Sequence, residues 1–140
     1  MTTPKVPVLV LDAAEPLELA EFYAALLGGE ARPGADPDLV EVHSPHGVRV
    51  AIRRDHGYAP PSWPRPEDSL QAHLCIFVAG TDLDAAEREA VGLGAMPVDS
   101  GGPGPRGARL FADPAGHTFS LEPSPALRAA GAADAAVQAP

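Results

Sequence analysis

An internal repeat constrains this chain more than any other feature. Ser44-Pro-His-Gly-Val-Arg-Val-Ala-Ile52 aligns with Asp113-Pro-Ala-Gly-His-Thr-Phe-Ser-Leu121, 69 residues further on, with the same turn and the same alternation of apolar residues. Leu26-Leu-Gly28 likewise aligns with Gly92-Leu-Gly94, 66 residues further on. A module of about 65 residues is too small to bury both faces of its own sheet, so two copies are expected to share one architecture. The repeat predicts an α+β fold of two tandem βαβββ modules, paired as a curved mixed sheet around a central cavity. That pairing could be made within one chain or between two.

The order of elements follows from hydrophobic period. Residues 5–11 are rich in Val and Leu and read as a strand. Pro16 suits the first turn of a helix, and Leu19, Phe22, Tyr23, Leu26 and Leu27 form one helical stripe that ends at Gly28. A strand near 29–33 and two alternating strands at 39–43 and 48–53 complete the first module, with the Ser44–Gly47 turn between the last two. The second module repeats the order: a strand at 73–78, then a helix capped by Thr81 or Asp82 and stopped by Gly94. Strands near 95–98, 108–112 and 117–122 follow. Residues 1–123 are taken as one domain, with modules at about 5–54 and 71–123 and a proline-rich linker at 55–70. The eight alanines of 124–140 leave little to bury, and that tail is expected to be disordered.

Composition narrows the class. The chain carries 17 prolines and 14 glycines, which fall mostly between the periodic segments and therefore punctuate them. A formal charge of −9 over 140 residues argues against nucleic acid or an anionic membrane as partner. A single cysteine excludes a disulfide within the chain. No apolar run approaches the ~20 residues that span a bilayer, and Met1-Thr-Thr-Pro-Lys5 lacks the layout of a signal peptide. A cytoplasmic protein is expected.

Leu19-Ala-Glu-Phe-Tyr23 with Leu27-Gly28, Asp82-Leu-Asp84 with Gly92-Leu-Gly-Ala95, and Asp113-Pro-Ala-Gly-His117 resemble the vicinal oxygen chelate (glyoxalase / bleomycin-resistance / dioxygenase) superfamily. The linker with Pro61-Ser-Trp-Pro64 looks like its glyoxalase-like domain branch. The resemblance covers about residues 5–123 and implies a small-molecule ligand and a homodimer. In the metal-dependent members it implies four ligand positions. They map here to Pro7 or Val8, to Ala51, to His73 and to Ser120, where Glu is usual. Only His73 is a strong donor, and Glu122 lies two residues beyond Ser120 on the same strand face. Because a divalent catalytic site takes about three protein ligands, no cofactor is expected, with a divalent metal at His73 and Glu122 as the alternative.

The strand alternation puts His73, Cys75 and Phe77 on the face away from Leu74, Ile76 and Val78. Thr118, Ser120 and Glu122 share the corresponding face of the last strand. His73 reads as a base, a hydrogen-bonding contact or a strand-end histidine. Cys75 reads as a buried, inert thiol facing the cavity rather than a nucleophile. Arg49 or Arg53 could receive a carboxylate or phosphate, or Arg53 could pair with Glu122. Trp63 could stack on a ligand or staple the linker. His43, His46 and His56 read as surface residues. No phosphate loop, GxSxG, HExxH or CxxC motif occurs. The expected function is metal-free binding of a small organic molecule by His73, Cys75, Phe77, Arg53, Ser120, Glu122 and Trp63, the net acidity favouring a cationic antibiotic or metabolite. The alternative is a lyase or isomerase acting on a small carbonyl compound, with His73 or Glu122 catalytic.

Overall fold

The computed structural model describes residues 3–34, 36–45, 47, 49–60, 72–98, 107–124 and 127. The chain divides into two compact units, Met1–Ala59 and Pro60–Pro140. In the first, β1 (Leu9–Ala13), α1 (Pro16–Leu27), β2 (Glu30–Pro33), β3 (Leu39–His43) and β4 (Val50–Arg54) follow in order. In the second, β5 (Leu74–Val78), α2 (Leu83–Leu93), β6 (Met96–Pro97), β7 (Arg109–Ala112) and β8 (Thr118–Pro123) repeat it. Each unit is the expected βαβββ module, and the fold is α+β.

The duplication holds residue by residue. The first sheet runs β1-β4-β3-β2 and the second β5-β8-β7-β6. In each, the first and last strands of the module lie parallel, Leu9 beside Val50 and Leu74 beside Phe119. The central hairpins keep the same register, Val42 beside Val50 and Phe111 beside Phe119. Asp113 fixes the second hairpin: its Oδ1 accepts from the Ala115 and His117 amides at 2.9 and 3.0 Å. Its own N–H donates to the His117 carbonyl at 2.8 Å.

Each helix covers one sheet face. Pro16 opens α1, and Gly28 ends it in the left-handed region at φ 70°, its N–H donating to the Ala24 carbonyl. Leu19, Phe22 and Tyr23 are buried with Val40, Val42, Val50 and Ile52. The rings of Phe22 and Tyr23 meet edge to face at 4.9 Å. In the second unit Phe111 and Phe119 stack at 5.4 Å and are both buried. Burying a side chain of that size contributes roughly 1.5–3 kcal/mol, so these rings are the main anchor of the second sheet. Arg109 reaches α2 from β7, with Asp84 at 2.8 Å and Glu87 at 3.0 Å.

Several boundaries move. The first strand starts at Leu9 rather than residue 5, because backbone pairing with β4 begins with the Leu9 N–H donating to the Arg49 carbonyl. The side chain of neither Thr81 nor Asp82 caps α2. A 3-10 turn over Gly80–Asp82 leads into the helix, and Asp82 has near-helical dihedrals (φ −99°, ψ 1°) in place of the extended backbone of a capping residue. On α2, Leu83 and Ala90 are buried, whereas Leu93 is 38% exposed. Most of the linker, from 61 to 71, and most of the tail after Ser124 lie outside the described residues. Among the described residues, no helix is long and apolar enough to cross a membrane.

Candidate functional site

Strand alternation gives each sheet a helix-covered face and an opposite face. On the opposite face of the second sheet, Cys75 stands beside Ser120 and Phe77 beside Glu122 on the parallel pair β5 and β8. The Cys75 thiol donates to Glu122 Oε2 at 2.9 Å. Burial first, and then this hydrogen bond, push the thiol above its ordinary value. Cys75 is therefore a protonated donor at neutral pH and a poor nucleophile. The Phe77 ring next to this pair is 54% exposed, an unusual position for a large apolar group.

Ser120 is the most deeply buried member of the group. It is 1% exposed, and its hydroxyl makes no hydrogen bond of good geometry among the described residues. It lies near enough to the Cys75 sulfur to favour the thiolate, against the stronger opposing influences of burial and Glu122. A buried hydroxyl left in this way costs about 1–3 kcal/mol.

Other expected site residues are placed differently. His73, just before β5, is exposed and makes no hydrogen bond among the described residues. The Arg53 guanidinium lies 2.9 Å from Asp12, its register neighbour on β1. A partner on the adjacent strand is already in place when the sheet forms, so Arg53 is taken locally. Trp63 lies outside the described residues.

The sequence reading overlooked a second group, on the opposite face of the first sheet. Glu41 Oε1 is 2.8 Å from His43 Nε2 and 3.3 Å from Arg49 Nη2. The signal was available: Glu41 and His43 alternate on β3, and the hairpin register sets Glu41 beside Ala51, two residues from Arg49. Asp12 was missed for the same reason, because β1 was placed too early.

Of the four positions at which the family resemblance implies metal ligands, Pro7 or Val8 and Ala51 carry no donor side chain, Ser120 carries a neutral hydroxyl and His73 an imidazole. Among the described residues no three His, Cys, Asp or Glu side chains come together as a ligand set.

Two βαβββ modules, each with its first and last strands side by side and parallel, define the vicinal oxygen chelate class of protein. The sequence profile of the glyoxalase-like domain family matches residues 8–122, and the chain belongs to that family. Solved structures with the same fold include a glyoxalase/dioxygenase from Nostoc punctiforme, 18% identical, with a TM-score of 0.62 over 86% of this chain and 92% of that one. Another is the fosfomycin resistance protein FosX of Listeria monocytogenes, complexed with Mn(II) and a dihydroxypropylphosphonic acid. It is 13% identical, with a TM-score of 0.61 over 87% and 90% of the two chains. A glyoxalase/bleomycin resistance protein/dioxygenase family enzyme from Burkholderia phytofirmans is 10% identical, with a TM-score of 0.61 over 81% and 94%. No protein of curated function matches the sequence.

Proposed function

We propose that the chain binds a small organic cation on the face of its second sheet opposite the helix, without a metal ion. The observation that carries this reading is the Cys75–Ser120–Glu122 group beside the exposed Phe77 ring. Glu122 supplies a carboxylate already oriented by the thiol, and Phe77 supplies an aromatic face. Together they suit an ammonium or amidinium group carried on an apolar body. The Ser120 hydroxyl, without a partner among the described residues, would gain one from a polar atom of the ligand. Net acidity draws cations toward the protein, weakly at physiological salt. Sequestration of this kind needs affinity alone, which suits ligand positions filled by Val8, Ala51 and Ser120.

Benzyltrimethylammonium is a suitable probe for calorimetry and thermal shift. Saturable binding is expected, unchanged by a chelator and weakened at least tenfold in Glu122→Gln. Failure of this and other aromatic cations to bind, or binding abolished by chelator, would refute the reading.

A further inference from the structure

Cys75 is the one cysteine of the chain, and the second module places it where its covalent state matters. It is half-buried on β5, with Ser120 as its register neighbour on β8. Phe77 and Glu122 stand beside each other one step further along the same two strands. Side chains two residues apart on a strand share a face at a spacing of about 6–7 Å. The sulfur therefore borders the place where that ring and carboxylate would receive a cation.

The thiol is tied to the carboxylate directly. Its hydrogen points to Glu122 Oε2, with sulfur and oxygen 2.9 Å apart, and no other side chain among the described residues donates to Glu122. A second observation marks the place as incomplete. The Ser120 hydroxyl beside the sulfur is 1% exposed and makes no hydrogen bond of good geometry among the described residues. The strand pair thus holds a thiol committed to Glu122 next to a buried hydroxyl still able to take a polar atom. A group added to the sulfur destroys this arrangement. A sulfur–sulfur bond is about 2.05 Å long and takes up most of the distance from Sγ to Oε2. The added group or the carboxylate must turn aside, and in either case Glu122 loses its donor, since a disulfide sulfur carries no hydrogen.

We propose that Cys75 is the positioning residue of the cation site and also a modification site that switches it off, a role that rests on the cation-binding reading above. The modifying group is a small alkylthio unit from a low-molecular-weight disulfide or thiosulfonate. The Cys75 sulfur attacks one sulfur of the reagent. A new S–S bond forms, the reagent's own S–S bond breaks, and that electron pair leaves with the departing thiolate or sulfinate. The thiol proton goes to solvent, Cys75 is oxidised and the reagent is reduced. Excess free thiol runs the exchange backwards.

Methyl methanethiosulfonate on the full-length chain tests this, with mass spectrometry to count methylthio groups and calorimetry with benzyltrimethylammonium to read binding. One group should be taken up, the cation should bind at least tenfold more weakly, and dithiothreitol should restore it. Cys75→Ala should bind several-fold more weakly than the parent, with no further loss on treatment. Cys75→Ser, which keeps a donor, should recover most of that affinity and ignore the reagent. A capped protein that binds as the parent does, a thiol that is never capped, or Cys75→Ser as weak as Cys75→Ala would overturn the proposal. If circular dichroism shows that capping unfolds the chain, the contrast between the Ser and Ala variants decides it. An untreated chain that does not bind the cation overturns the site reading as well, whereas binding indifferent to the state of Cys75 overturns this role alone.

Discussion

Ser120→Ala should make the protein more stable while weakening ligand binding. The Ser120 hydroxyl is buried with no partner among the described residues, at a desolvation cost of about 1–3 kcal/mol that the alanine variant does not carry. Removing one oxygen forfeits a few dispersion contacts at about 0.1–0.2 kcal/mol each, so roughly 0.5 kcal/mol returns to the other side. Alanine fits this place: Ala51 holds the equivalent register position in the first module and is itself 1% exposed. The net expectation is a gain of about 1 kcal/mol, or about 3–5 °C in Tm for a chain of this size. Urea denaturation by circular dichroism, with the m-value compared between the two proteins, measures it directly. The ligand of the second module should bind the variant less tightly, because its polar atom loses the hydroxyl. A loss of 1 kcal/mol or more would refute the reasoning, since it would mean that the hydroxyl already has a partner in the folded protein.

Asp113→Ala should cost about 2–3 kcal/mol, because it strips two amides of their acceptor at a buried turn, and chemical denaturation reads the loss. The Cys75 thiol should react with a disulfide reagent only at a pH above that of an exposed cysteine. Glu122→Gln should lower that pH, because Glu122 is one of the groups holding the proton on sulfur. The sign for stability follows. The folded thiol keeps its proton to higher pH than the unfolded one, so its contribution is complete below the ordinary value of 9.0 and is lost as pH rises through the raised one. A Cys75→Ala variant whose stability falls as steeply in alkali as the parent's would remove this account.

The architecture was written into the sequence because duplication and hydrophobic period are local properties. The Pro16 start and Gly28 and Gly94 stops, the alternation of Val40 with Val42, and the Asp113-Pro-Ala-Gly116 turn each act over a few residues. Their spacing alone gave two βαβββ units, and with them the pairing of Cys75, Phe77, Ser120 and Glu122 on one face. Register between strands distant in sequence is another matter. Asp12 and Arg53 are 41 residues apart, and their pairing depends on where β1 begins against β4, a choice made by backbone hydrogen bonding. For that reason the Asp12–Arg53 pair was not foreseen, and the Glu41–His43–Arg49 group was overlooked. Burial was equally out of reach. Nothing in the sequence distinguishes Ser120, sealed without a partner, from an exposed serine, or shows that Phe77 remains in water. Those two facts depend on what packs above each side chain, and only the tertiary structure decides that.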